Sequence, residues 1–438
     1  MIHINVDFSK KIKKIKPLHG IGNGPTSRGI ANDTSFYYKQ INPPYARLHD
    51  THYPESREVD IHTIFPDFTK DENDPKSYTF KITDNYLESI LKLGTDIIYR
   101  LGETIASDDK RDYVHPPADF SKYARICVNI IRHYNDGWAD GFHHNIKHWE
   151  IWNEPNVPNM WTGTQKQWLD LYKEISTAIK AYDPEVLIGG PVACDSKSPI
   201  NIPFLEFVKE NNLPLDFYSL HCYTYGSEQI YEFLNILGEN LQKYGYENIP
   251  VHITEWNYVP KGDDGRIWWD CMPTYDQIKK TAMFKRMVSA EGASHVVMFM
   301  SLLQDTFVYQ ANYYQASPEG RYSCFDKYCM PLKPFYALLA FKKIYDLGMQ
   351  VESSFSIEMV DASVIASADD SMGRILISNL NNDESEYKIK VSGKFKTIES
   401  VKVINKQLDL LPLSINKAYA SEFKFKIPKH TVVLIELK

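Results

Sequence analysis

His148-Trp149-Glu150-Ile151-Trp152-Asn153-Glu154-Pro155-Asn156 is the stretch on which the reading of the chain turns. It opens as a short apolar and aromatic run, the pattern of a buried strand. It closes on Asn-Glu-Pro. Pro155 has no N–H and disfavours helix at the residue before it, so the Glu154 carboxylate stands where the strand stops. A glutamate in that place, just after two tryptophans, is a candidate proton donor with a raised pKa. The alternative is a loop glutamate that satisfies backbone groups, and a motif this short leaves both readings open.

The same alternation of short apolar runs with longer amphipathic ones recurs from Pro17 onward, as in repeated βα units. Candidate strands fall at 18–22, 45–49, 96–100, 147–152, 186–190, 217–221, 251–255 and 295–300. Helical spacing marks 84–93, the stripe from Phe120 to Ile131, the stripe from Trp168 to Tyr182 behind a Thr164/Gln167 capping box, 278–291 and 335–347. These stripes read as core faces. Eight strands with helices between them point to an α/β fold, a (β/α)8 TIM barrel over 12–347. A doubly wound open sheet would place a glycine-rich phosphate turn after its first strand. Gly20-Ile21-Gly22-Asn23-Gly24 lacks that spacing and no clear helix follows it, so it reads as a turn. After Gly348 the helix signals fade and short strands follow, at 364–368, 374–378, 386–391, 400–404, 422–427 and 431–436. Together with the alternating N-terminus, 1–11 plus 348–438 reads as a small accessory β-sandwich with a structural role.

Composition narrows the field. The chain has 438 residues, 43% of them hydrophobic, enough for one large and one small unit. Its 29 Tyr, 21 Phe and 8 Trp suit a sugar-binding cleft, although core packing accounts for most such rings. A net charge of −7 with scattered Lys and Arg leaves no nucleic-acid footprint. No apolar run reaches membrane-spanning length and no signal-type core opens the chain, so a cytoplasmic protein is expected, or one trimmed of its signal. The six cysteines form no CxxC pair and read as free thiols, Cys324 and Cys329 included. No metal-ligand spacing stands out and no cofactor is expected. The expected partner is a glycoside or oligosaccharide, with no nucleic acid and no membrane; a homo-oligomer stays open.

Strand seven carries the second half of the constellation, Val251-His252-Ile253-Thr254-Glu255-Trp256-Asn257. Strands four and seven stand across the ring from each other, so Glu154 and Glu255 can face one another at the catalytic mouth. Glycoside hydrolysis uses such a pair, one carboxylic acid to protonate the leaving oxygen and one carboxylate on the other face. Two glutamates of equal length crossing a narrow barrel favour the short, retaining separation. Four long connections (50–81, 102–119, 256–274 and 301–334) fall on the same face and read as pocket walls, which suits exo action.

These motifs resemble those of the large clan of (β/α)8 retaining glycosidases. Trp149-Glu150-Ile151-Trp152-Asn153-Glu154-Pro155-Asn156 is most similar to glycoside hydrolase family 39, the family of β-xylosidases and α-L-iduronidases. Arg47-Leu48-His49 and Ser219-Leu220-His221-Cys222-Tyr223 resemble that family's strand-two and strand-six motifs. The resemblance implies Glu154 as general acid/base and Glu255 as nucleophile. It implies Asn153 at the sugar 2-hydroxyl, Tyr223 orienting Glu255, and His49 and His221 at hydroxyls or the nucleophile. Arg47 would support the carboxylates, and Trp256 would stack on a sugar face. The chain departs from the family where strand eight is expected to end: Gln304 and Asp305 stand in place of an acidic pair, and the usual tryptophan is missing. Asp50-Thr51-His52-Tyr53 replaces a more glycine-like turn, and Glu103 is a further candidate hydroxyl ligand. The expected activity is removal of terminal β-xyloside-like, related pentosyl or galactosyl residues from plant-type saccharides. Arabinosidase or iduronidase-like specificity, and a non-catalytic sugar-binding protein on the same scaffold, are the alternatives.

Overall fold

Eight parallel strands close into a barrel: Gly20–Gly22, Tyr45–Leu48, Asp96–Leu101, His148–Ile151, Leu187–Ala193, Phe217–Thr224, Val251–Tyr258 and Val308–Tyr313. The first and last meet through Asn312 beside Gly20 and Tyr313 beside Ile21. The computed structural model describes residues 1–28, 32–51, 57–106, 110–262, 265, 277–356, 358–383, 386–414 and 421–438. Each strand is a short apolar run because barrel strands are covered on both faces, by helices outside and by one another inside. Helices such as Phe120–Asp136 and Gln165–Tyr182 turn an apolar stripe onto the barrel. The Thr164/Gln167 capping box opens the second of these.

The stretch 295–300, expected above as the eighth strand, lies inside a helix, Ala290–Leu303. Almost every residue of that helix is buried. One face packs on the barrel, where Phe299 stacks on Trp256 of strand seven with ring centroids 4.1 Å apart. The other packs under the accessory sheet, where Ser378 Oγ donates to the Ser294 carbonyl at 2.7 Å. A helix covered on all sides has no polar face, so it loses the period by which a helix is recognised and imitates a buried strand. The eighth strand comes later, as Val308–Tyr313.

Nine strands form the accessory sheet, in the spatial order Asp409–Pro412, Ile398–Ile404, Thr431–Leu437, Gly373–Asn379, Ala362–Ala368, Met349–Phe355, Ile2–Lys14, Glu386–Ser392 and Glu422–Lys426. The N-terminal strand joins it, antiparallel to Met349–Phe355 and parallel to Glu386–Ser392. Its alternation delivers Ile2, Ile4, Val6 and Phe8 to a second core, separate from that of the barrel. The two units are bonded directly: Ser227, which opens helix Ser227–Tyr244, donates its N–H to Asp361 Oδ1 at 2.7 Å and accepts the Asp361 N–H at 3.0 Å. No helix among the described residues is long and apolar enough to cross a membrane.

Phe299 thus ties the misread helix to the strand that carries Glu255. Phe299→Ala should cost about 3–5 kcal/mol, the usual cost of emptying a buried aromatic site. Thermal or urea denaturation should show it as a clear drop in midpoint.

Candidate active site

The strand ends converge on one guanidinium. Arg47, on strand two, is fully buried and uses all three nitrogens. Nε donates to Glu150 Oε2 at 2.7 Å, Nη1 to Glu255 Oε1 at 2.7 Å and Nη2 to Asn153 Oδ1 at 2.6 Å. The planar fork of arginine suits this: one rigid group fixes two carboxylates and an amide from strands four and seven. Glu150 and Arg47 have no access to water, so neither is tolerable without the other.

Local backbone irregularities aim the side chains. Opposite strand six, Ile253 pairs with Leu220 and Glu255 with His221, which leaves Thr254 as an extra residue in strand seven. This bulge sets Glu255 level with His221. The next inward residue on strand six, Tyr223, donates its hydroxyl to Glu255 Oε2 at 2.8 Å. On the other side, Trp152 and Glu154 adopt positive φ, 70° and 40°, and the Glu154 N–H donates to the Val192 carbonyl at 2.9 Å. His221 Nδ1 lies 2.6 Å from Glu154 Oε1 and 3.4 Å from Glu255 Oε2. A carboxylate oxygen of Glu154, a ring nitrogen of His221 and a carboxylate oxygen of Glu255 all lie within 4.8 Å of one another.

Electrostatics separate the two glutamates. Burial raises Glu154 to about 7, with Arg47 too weak an opposing charge to hold it down. Burial also raises Glu255, but the Arg47 cation pulls the other way and Tyr223 donates to it. Burial lowers His221 to about 4, so the imidazole is neutral near pH 7 and shares a proton with Glu154 instead of pairing as a cation. The result is one carboxyl poised to hold a proton beside a second whose upward shift the Arg47 cation restrains. Environments that push two titratable groups apart mark acid and base roles. The Arg47 cation 2.7 Å from Glu255 makes this cluster a poor metal site.

The profile of glycosyl hydrolases family 39 matches residues 2–392. The chain belongs to this family. It is 25% identical over 300 residues to a beta-xylosidase of Geobacillus stearothermophilus, a match covering 61% of this chain and 57% of that protein. It is 28% identical over 212 residues to a beta-xylosidase of Caldicellulosiruptor saccharolyticus, covering 43% and 42%. The chain therefore matches only about half the length of these relatives. A glucosidase from Croceicoccus marinus shares the fold with a TM-score of 0.78 at 19% identity, covering 100% of this chain and 99% of that one. A beta-xylosidase from Caulobacter crescentus CB15 does so with a TM-score of 0.72 at 15% identity, over 100% and 99%.

Against this family frame, the structure brings together Arg47, Asn153, Glu154, His221, Tyr223 and Glu255. His49 and Asp50 stand beside them, with His49 Nε2 at 3.0 Å from Asp50 Oδ1. Two expectations are corrected. Gln304 and Asp305 follow helix Ala290–Leu303 and precede strand eight, so they lie at the opposite end of the barrel. There Gln304 bonds Lys14, Lys16 and Gln350, and Asp305 bonds Lys13 and Gln350. Trp256 is no sugar platform: it is buried, one residue past Glu255 on the outward face, and packs on Phe299. Glu103 is buried and gives one oxygen to the His62 N–H and the other to His62 Nδ1. Beside it Asp60 accepts from Arg100 Nη2 and from the N–H and hydroxyl of Thr104. His52 and Tyr53, Cys271 and parts of the long loops (52–56, 107–109, 263–264 and 266–276) lie outside the described residues. The five described cysteines are free.

Sequence reasoning missed Glu150, Tyr314, Gln315 and Asn23. Glu150 had a signal, since a charge inside an apolar strand demands a buried partner. The true end of strand eight supplies Tyr314, whose hydroxyl points to Asp50 Oδ2 at 3.5 Å, and Gln315, which accepts from Asn23 Nδ2 at 2.5 Å.

Arg47→Met should destabilise the protein by about 3–5 kcal/mol at neutral pH, because it strands buried carboxylates. Stranded carboxylates fold best protonated, so their folded pKa rises and the deficit should shrink as pH falls. Denaturation curves across pH test both the size and the sign.

Proposed function

We propose that this chain is a retaining glycoside hydrolase acting on terminal β-xylosides or closely related pentosides. The observation that carries the reading is the pair itself. The carboxylate oxygens of Glu154 and Glu255 approach within 4.8 Å, with one group held near pKa 7 and the other braced by Arg47 and Tyr223. A separation of roughly 5 Å suits direct attack by the second carboxylate, whereas inversion needs room for a water. The family and its beta-xylosidase relatives support the substrate class.

In this mechanism Glu154 gives its proton to the leaving glycosidic oxygen as Glu255 attacks the anomeric carbon and the old C–O bond breaks. Glu154, now ionised, takes a proton from water. The water oxygen displaces Glu255, and the sugar leaves with its original anomeric configuration. Asn153 is oriented through its Oδ1 by Arg47 and offers its amide N–H to the 2-hydroxyl, a contact that strengthens in the transition state. Two carboxylates supply the acid, base and nucleophile, so the proposal needs no cofactor.

The pH profile follows from the shifts. The acid must be protonated, so kcat/KM should fall above about pH 7 as Glu154 ionises. The nucleophile must be ionised, and its pKa is raised, so the acid limb should lie above the ordinary glutamate range. A profile still rising well above pH 8 would contradict the acid assignment.

Glu255→Ala should abolish turnover of 4-nitrophenyl β-xyloside, and azide should restore it with inverted stereochemistry at the product. Glu154→Ala should spare activated aryl glycosides far more than unactivated ones, because a good leaving group needs no proton. Normal turnover in Glu255→Ala would refute the mechanism. A non-catalytic sugar-binding protein would show no burst of nitrophenol from the unmodified chain.

A further inference from the structure

Strand two ends in a feature that the two-carboxylate mechanism does not use. Asp50 is a non-glycine residue at φ 49°, with its side chain nearly buried at the barrel mouth. Its Oδ1 accepts the Ile105 N–H at 3.0 Å and lies 3.0 Å from His49 Nε2. Its Oδ2 faces the Tyr314 hydroxyl at 3.5 Å, the outer limit of a hydrogen bond. Tyr314 comes from the end of strand eight, the neighbour of the strand that carries Glu255. The Asp50 charge is felt at Glu255, at Arg47 and at Tyr314. Asp50 and Tyr314 therefore belong to the space next to the nucleophile, where the sugar ring must lie.

A buried anion there is costly. It adds a third carboxylate beside Glu154 and Glu255 and makes ionising Glu255 harder. An asparagine would hold the Ile105 N–H equally well, so that contact alone does not require a charge. A charged acceptor binds hydroxyls more tightly, because such bonds are about twice as strong as neutral ones.

We propose that Asp50 is a specificity-determining residue of the sugar site: with the Tyr314 hydroxyl it grips a ring hydroxyl of a neutral sugar, and its charge excludes uronic acids. The inference rests on the glycosidase reading above and deepens it. A glycone carboxylate would enter a pocket already holding three carboxyl groups, an arrangement that repels by design. A neutral pyranose loses nothing and gains a charge-assisted bond.

The test is Asp50→Asn, which keeps the acceptor for Ile105 and removes the charge, assayed on 4-nitrophenyl β-xyloside, its 2-, 3- and 4-deoxy analogues and 4-nitrophenyl glucuronide. The variant should lose roughly 10- to 100-fold in kcat/KM on the parent xyloside, the scale of one charge-assisted hydrogen bond. With one deoxy analogue the two proteins should differ less than about threefold, which identifies the gripped hydroxyl. Discrimination against the glucuronide should weaken, and the melting temperature should hold. Tyr314→Phe should repeat the deoxy pattern more mildly and serves where Asp50→Asn folds poorly. An unchanged kcat/KM on the xyloside overturns the proposal. So does an equal loss on every deoxy analogue with a shifted acid limb, which would make Asp50 a positioning residue acting through Glu255. If the unmodified chain turns over no neutral glycoside, the glycosidase reading fails, a result distinct from either.

Discussion

A single buried guanidinium organises the site. Arg47 joins strand two to Glu150 and Asn153 of strand four and to Glu255 of strand seven, with every nitrogen engaged at 2.6–2.7 Å. Such an ionic cluster is poor evidence for net stability, since desolvating the charges offsets their attraction. Its return is geometric. A planar fork accepts few arrangements of its partners, so the strand ends that must present two carboxyls to one another are locked in place. The hub also divides the electrostatics. It touches Glu255 directly and Glu154 only at a distance, and this difference lets one carboxyl act as the anion while burial keeps the other near pKa 7.

His221 completes the division. It lies between the two glutamates, closer to Glu154, and burial keeps it neutral. A charged imidazole there would depress both carboxyls and erase the contrast between them. A neutral one exchanges a proton with Glu154 without supplying a full charge, so a raised pKa survives next to a strong hydrogen-bonding partner.

How much of this was legible follows from the physics of each element. Seven barrel strands were readable because apolar runs bounded by turns are what a doubly covered strand requires, and the two strand-end glutamates were readable with them. The eighth was not. Helix Ala290–Leu303 is wedged between two units and has no polar face, so it looked like a strand. The true strand, Val308–Tyr313, places Gln310 and Asn312 among its buried residues and looked like a loop. That one exchange carried Gln304 and Asp305 to the wrong end of the barrel and hid Tyr314. Trp256 is a different failure. Alternation along a strand puts it on the face opposite Glu255, and weighing its chemistry before its parity made a core residue look like a wall. The Arg47 contacts were out of reach, because they depend on registers and bulges that no local pattern encodes.

Those bulges carry their own cost. Asn23, Asp50, Trp152, Glu154 and Val192 all have positive φ, and all sit where barrel strands one, two, four and five run out. Asparagine and aspartate tolerate this region; tryptophan and the β-branched valine do not. Val192 is the extra residue in strand five between Pro191 and Ala193, and its carbonyl accepts the N–H of Glu154, itself left-handed. Strain of about 1–3 kcal/mol at each such residue persists only where the surroundings over-determine the backbone. Here they do: Arg47 grips Asn153 between the two strained residues of strand four, and Trp152 donates its indole N–H to Met160 at 2.8 Å. Relaxing Trp152 or Glu154 to ordinary φ would swing the carboxyl away from His221 and Glu255. The strained mouth and the buried hub are therefore one device, in which the ionic cluster holds a backbone that would not otherwise stay where the two carboxyls meet.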